Sequence, residues 1–324
     1  MTSFPSRGVF LLSIDTELAW GSVHNGGYRH YEAQYQECRE VVVRLLELME
    51  RYEIEATWAV VGHLFLSQCQ AIGGIKHPEI VRPSYTRHKG DWFAPDPCAD
   101  LESAPLWYGV DIVRRILNCR VPQEIGCHTF SHIVVGDTGC STRCFESELA
   151  ACAQAADTLG LKLTTFVFPR NAVGHLGALG RSGFIAYRGP ARSRLSRLPV
   201  PAQKIGHALS DLFLLPPPVS LPELQGEVWN LPASYFYPPH TGWGRFVPIA
   251  FRVRKAQKGL ERAVRERRLF HMWFHPFNLA TDPEGLLGGL EGIFAQVRRY
   301  REAGVLDNLT MVELSRSLNW GQQQ

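Results

Sequence analysis

The sequence predicts an α/β fold: a mostly parallel sheet closed into a barrel, in a single domain. Short apolar runs alternate with stretches of helical periodicity. Polar residues that do chemistry fall at the carboxyl ends of those runs. The chain, 324 residues with 45% hydrophobic, can bury one large core, and no Gly/Ser linker divides it.

The apolar runs "VFLLSI" (9–14), "ATWAVV" (56–61), "TTFVFP" (164–169), "GFIAYR" (183–188) and "LFHMWFH" (269–275) read as buried strands. Between them, Val41, Leu45, Leu48 and Tyr52 mark one helical face. Phe145, Leu149, Cys152, Ala156 and Leu159 mark a second, with Gly160 placed to stop it, and Leu286, Leu290, Ile293, Val297 and Tyr300 mark a third. The number of strand and helix units favours a barrel over a two-layer fold. Two Pro-rich, aromatic stretches break the rhythm, about 64–108 and 190–248. They read as insertions or irregular loops, equally suited to packing and to covering a substrate, and Trp92 and Trp107 in the first join Trp20 as candidates for sugar contact.

Composition narrows the function. A formal net charge of +3 is too small to argue for nucleic acid. No apolar run reaches the length of a membrane span, and the amino-terminal run is too short for an export signal. Eight cysteines without such a signal, and without a C-x-x-C pair, read as reduced thiols of a cytoplasmic protein.

Asp15 ends the first strand, His128 follows "EIGC", Arg170 follows "TTFVFP" and His275 ends "LFHMWFH". In a barrel those ends share one rim, where barrel sites are built. His128 and His132 in "HTFSH" are four apart, the spacing that puts two imidazoles on one face of a helical turn. A carboxylate, two such histidines, an arginine and a distant histidine are the parts of a metal-assisted hydrolase.

In motif order the chain resembles the polysaccharide deacetylase superfamily, built on the NodB-homology domain. "SIDTE" (13–17) stands where that family has Thr-Phe-Asp-Asp, and "ATWAVVG" looks like its Ala-Thr-Phe-Phe-Val-x-Gly strand. "HTFSH" fits its His-Ser/Thr-x-x-His, "FPRN" (168–171) is similar to its arginine segment with the arginine after the proline instead of before it, and "MWFHP" (272–276) is similar to its closing Leu-x-Leu-His. The resemblance implies a distorted (β/α)7 barrel that removes N-acyl groups from amino sugars with a divalent ion, Zn²⁺ by ligand type. It implies His128 and His132 as ligands, Asp15 as general base and His275 as general acid. Arg170 would tune the base, with Asn171 beside it.

The family's second Asp aligns with Thr16, which leaves one ligand unassigned. Glu17 lies two residues from Asp15, on the same strand face and with a longer reach, and is the expected metal ligand; Asp15 is the other candidate. The expected substrate is an intracellular N-acetyl sugar on a nucleotide, a lipid or a glycan. The basic run 252–268 would suit a diphosphate or the inner face of an anionic membrane, or is simply a solvated helix face. Two other functions remain: a metal-independent amidohydrolase acting on a small cyclic amide such as allantoin, and a non-catalytic glycan-binding protein.

Overall fold

The computed structural model describes residues 4–191 and 215–320, so part of the second Pro-rich stretch lies outside the described residues. All five predicted strands are present: β1 (Gly8–Thr16), β2 (Thr57–Val60), β4 (Thr165–Val167), β5 (Ala186–Arg188) and β9 (Leu269–Phe274). "EIGC" forms β3 (Glu124–Cys127). The three predicted helical faces lie on α1 (Glu32–Tyr52), α3 (Thr142–Asp157) and the helix Pro283–Glu302. Gly160 terminates α3 as expected: it sits at φ +68°, and the Leu161 N–H turns back to the Ala156 carbonyl at 3.1 Å.

Strands β1 to β5 pair in parallel around the sheet, with β9 on the other side of β1. The second Pro-rich stretch supplies the missing wall. Its β7 (Val228–Asn230) pairs with β5, and β8 (Tyr235–Phe236) pairs with β9. Consecutive residues hand the hydrogen bonds across: the Ala233 N–H donates to the Gly189 carbonyl and the Ser234 N–H to the His271 carbonyl. A barrel of seven positions, β1 to β5, the β7–β8 segment and β9, is closed in this way. A short β6 (Glu223–Gln225) runs antiparallel outside β7.

The strands separate two cores. Phe10, Leu12 and Ile14 of β1 face outward into the core shared with the helices. Val9 and Leu11 alternate with them and face the lumen, together with Ala59, Val167, Ala186 and Leu269. The carboxyl-terminal helix, Met311–Trp320, adds Met311, Leu314 and Leu318 to that inner cluster and plugs the amino end of the barrel. Its first turn is seated on polar groups inside. The Val312 N–H donates to Glu124 at 3.0 Å and the Met311 N–H to the Thr57 hydroxyl at 2.9 Å. Burial pushes the Glu124 carboxyl above its ordinary range even though Thr165, Thr57 and Val312 all donate to it.

Leu314 is fully buried. Leu314→Ala should therefore lower the unfolding free energy by about 2–5 kcal/mol. Urea unfolding reads this as a lower midpoint at unchanged slope, and a loss under about 0.5 kcal/mol would mean that the terminal helix does not plug the lumen.

Candidate active site

At the carboxyl end the lumen changes from apolar to charged. Along β1 the inward residues run Val9, Leu11, Ser13 and Asp15, and Glu17 follows just past the strand. Glu17 is buried, and its Oε1 lies 3.1 Å from Nε2 of both His128 and His132. Nδ1 of His128 is 2.7 Å from the Val167 carbonyl, which can only accept, so that nitrogen carries the proton. In the neutral ring the Nε2 lone pair then faces a carboxylate oxygen, an arrangement that asks for a cation between them. Two imidazole nitrogens and one carboxylate are a donor set that suits zinc with an open position. Burial raises the Glu17 carboxyl, but the surrounding histidines, His275 foremost, outweigh it and hold the group well below the usual range.

The two histidines are not on a helix. "HTFSH" forms a tight loop in which Thr129 and His132 adopt φ of 57° and 60°, a conformation that costs a β-branched residue energy. The surroundings fix it. Buried Glu148, on α3, accepts from the N–H groups of Phe130 and Ser131 at 2.7 and 2.8 Å and from the Ser131 hydroxyl at 2.6 Å. From the other side, the N–H groups of Gly62 and His63 donate to the Thr129 and Phe130 carbonyls. A side chain at position 62 would meet the Cys152 sulfur at 2.6 Å and Phe130 Cα at 3.0 Å, which explains the glycine.

Asp15 is paired with an arginine, but not with Arg170. Arg170 is exposed on the segment Pro169–Asn171, while the Arg188 guanidinium at the end of β5 reaches across the lumen to both Asp15 oxygens, at 2.7 and 2.6 Å. Arg188 also donates to Ser13 Oγ at 2.8 Å and approaches Asn171 Oδ1 at 3.4 Å. Ser13 is within 2.9 Å of His271 Nε2, whose other nitrogen meets the Leu231 carbonyl at 3.1 Å. Burial raises the Asp15 carboxyl, but Arg188 reverses this and leaves it below its ordinary value. Because Arg188 occupies both Asp15 oxygens, the carboxylate within reach of His128 and His132 is that of Glu17.

His275 completes the cluster, with Nε2 at 3.4 Å from Glu17 and 3.8 Å from Asp15. The Asn278 amide donates to its Nδ1 at 3.1 Å, so the proton resides on Nε2 and faces the carboxylates. Burial depresses the imidazole, but Glu17 and Asp15 raise it above its ordinary value. Phe236, Trp273 and Phe277 surround the ring with centroids at 5.9, 5.6 and 5.2 Å, and Arg188 stacks on Trp273 at 4.3 Å.

The three candidate tryptophans are buried. Trp20 and Trp92 are buried and donate their indole N–H groups to the carbonyls of Trp107 and Ser131, and Trp107 packs edge-on to Trp20. Sequence reasoning missed Arg188, Asn278, Glu148 and Trp273. Arg188 had a usable signal, because it ends "GFIAYR" as Asp15 ends its own strand.

The geometry defines a NodB-type distorted barrel with a cluster of carboxylates and histidines at its carboxyl rim. No protein-family model matches the sequence, and no curated protein matches it. Among solved structures, the chain is similar to one from Mycobacterium smegmatis and one from Pseudomonas aeruginosa PAO1, both carrying provisional names as polysaccharide deacetylases. The first aligns over 99% of this chain and 93% of its own at 14% identity and a TM-score of 0.65. The second aligns over 98% and 92% at 10% identity and 0.63. A 4-α-glucanotransferase from Thermococcus litoralis aligns over 95% of this chain and 40% of its own, at 15% identity and 0.50. The shared property is the fold.

Burial, with the charge of Arg188 adding to it, depresses His271 from 6.5 to about 3. The ring is neutral in the fold, so its contribution is fully present above about pH 6.5 and is lost as the pH falls toward 3. His271→Gln should remove up to about 1.4 kcal/mol per pH unit from the slope of stability in that window. Urea titrations at several pH values measure it, and parallel slopes in parent and variant would mean that His271 titrates normally.

Proposed function

We propose that the chain is a metal-dependent hydrolase that removes an N-acyl group, acetyl first, from an amino sugar on a nucleotide, a lipid or a glycan inside the cell. The observation that carries this reading is the convergence of Glu17, His128 and His132, with Asp15 and His275 on the same rim. The likeness to structures named for deacetylases supports it, while the glucanotransferase shows that the barrel alone does not. The residues that touch Glu17 supply the further support.

Glu17, His128 and His132 would hold one divalent ion, with Zn²⁺ favoured by the ligand types. A bound ion of this kind lowers the pKa of a water and polarises the amide carbonyl. Asp15, kept ionised and oriented by Arg188, takes the proton of the attacking water. His275, with its proton on Nε2, returns one to the departing amine. Trp273 offers a partly exposed aromatic face beside His275, and a sugar ring stacks on such a face. The metal-independent alternative has less support, since it leaves Glu17 between two imidazoles without a purpose.

The basic helix, Ile249–Glu266, adds little to the substrate argument. Arg252 and Lys255 are buried, and Arg254, Arg262 and Arg265 pair with Glu261 and Glu266. We assign it to packing on the barrel rather than to an anionic surface.

Acetate release from a panel of N-acetylated nucleotide sugars, lipid-linked sugars and glycans, with each of several divalent metals, tests the activity. Asp15→Asn should keep its metal and lose about 10²–10⁴ in turnover. Glu17→Gln should instead bind metal weakly and regain activity at high metal concentration. Two fully active variants would end the assignment.

The arginines separate in the same assay. Arg188→Lys, which keeps the charge but not the two-point contact, should cost about 10²-fold in turnover. Arg170→Ala should stay within about twofold, as surface changes do. The reverse order would restore Arg170 to the site.

A further inference from the structure

A second cluster of donors lies behind the "HTFSH" loop, where the proposed reaction makes no use of it. His63, Cys69, His77 and Asp96 each offer one ligand atom, and the four atoms lie within 4.8 Å of one another. Asp96 Oδ2 is 3.4 Å from His63 Nε2, 3.1 Å from His77 Nε2 and 3.8 Å from Cys69 Sγ. The edges of a tetrahedral zinc site with nitrogen, oxygen and sulfur ligands are roughly 3.3–3.6 Å. His63 and Asp96 are fully buried, and His77 nearly so.

The protons show why a cation fits. Nδ1 of His63 is 3.1 Å from the Trp107 carbonyl and must donate to it, which leaves the Nε2 lone pair in the neutral ring. That nitrogen is buried, has no hydrogen-bond partner among the described residues, and faces the Asp96 carboxylate. Two electron pairs opposed in a dry interior are costly unless positive charge lies between them.

The outer atoms of the ligands are already held, as they are in metal sites. Asp96 Oδ1 accepts from the Cys98 N–H at 2.9 Å. The Tyr108 hydroxyl accepts from the Ala99 N–H at 2.9 Å and lies 3.2 Å from the Cys69 sulfur, placed to donate its own proton there. A surface cleft of about 220 Å³ has His77 in its lining, beside Glu79, Phe130 and Gln154.

We propose that His63, Cys69, His77 and Asp96 bind a structural zinc ion that fastens the 64–108 insertion to the barrel rim. Thiolate, imidazole and carboxylate together select zinc over the hard cations. Four protein ligands close the coordination, unlike the three offered at the rim. One thiolate and one carboxylate also balance the charge of the ion. His63 stands immediately after β2, whereas the other three ligands come from the insertion. Phe130, between the two rim histidines, packs on both His63 and His77, with centroids at 5.6 and 5.1 Å. The ion would stiffen the back of the rim loop without touching substrate.

Sulfur makes the two sites separable, because Glu17, His128 and His132 include none. Protein exchanged into Co²⁺ should show a sulfur-to-cobalt charge-transfer band in the near ultraviolet. That band should survive in Glu17→Gln and vanish in Cys69→Ser. Metal content should fall from about two to about one equivalent per chain in Cys69→Ser. X-ray absorption at the zinc edge of the unaltered protein needs no variant and should show sulfur in the first coordination shell. Absence of sulfur there, or a cobalt band that persists in Cys69→Ser, would overturn the proposal. So would a Cys69–Cys98 disulfide, read as two thiols short of the eight in the sequence on denaturing titration. Loss of metal at the rim alone, with the sulfur signal intact, would count against the hydrolase reading and leave this site standing.

Discussion

The ion pair between Asp15 and Arg188 constrains much of the structure around it. It spans the lumen from β1 to β5, is almost wholly buried, and uses both oxygens of the carboxylate. Taking two such charges out of water costs several kcal/mol each, and only two-point geometry with further hydrogen bonds offsets it. Ser13, Asn171 and the face of Trp273 supply the rest of the guanidinium's surroundings. Buried His271 behind them stays neutral, which spares the lumen another positive charge next to Arg188. Losing either member of the pair would strand the other charge in the interior, so the register of β1, β5 and β9 at the rim is tied to this contact.

That pair also decides what Asp15 and Glu17 can do. A carboxylate committed to a guanidinium at both oxygens is fixed in place and ionised, suited to receiving a proton but ill suited to reaching two imidazoles. Glu17, one strand repeat further on, pairs with no arginine among the described residues and faces three imidazoles instead. Thr16 between them is buried on the opposite face, its hydroxyl turned to its own chain at the Ile14 carbonyl. The division of labour follows from strand alternation and side-chain length.

The strands and main helices could be read from the sequence because apolar periodicity is a local property, and burial on both faces of β1 produces a continuous apolar run. The wall formed by β7 and β8 could not. Each is only two or three residues long and embedded among prolines, and its pairing comes from neighbours distant in sequence. Strand ends located Asp15, His128 and His275, but chose Arg170 over Arg188. Arg188 ends β5, whereas Arg170 lies three residues past the end of the adjacent β4, in the turn Pro169–Asn171, and is exposed. The "HTFSH" spacing suggested a helical turn; a strained loop held by Glu148 and by the turn Gly62–Phe65 after β2 brings the imidazoles together instead. Trp20, Trp92 and Trp107 suggested sugar contacts because aromatic content signals both recognition and packing, and only burial distinguishes them.

The same limit explains why the donor set around Asp96 has no trace in the pattern of the chain. Metal motifs stand out when ligands share one turn or one hairpin, and these four are spread over a segment with little regular structure. Cys140 and Cys144 are closer in sequence and are buried in the core around α3, but the nearby imidazole, His175, meets the Cys140 carbonyl and Thr142 with its two nitrogens rather than a thiol. The backbone hydrogen bonds within the 64–108 segment are mostly those of short local turns. The segment is ordered here by burying Trp92 and Phe93 against the rim loop, Trp107 against Trp20 and Tyr108 against His63, and by converging polar side chains on Asp96. Apolar burial alone tolerates small slips, whereas a buried carboxylate facing an imidazole lone pair does not. The polar contacts around Asp96 therefore restrict the position of the segment more tightly than its aromatic residues can, and Phe130, packed on both His63 and His77, is where that restriction meets the rim loop.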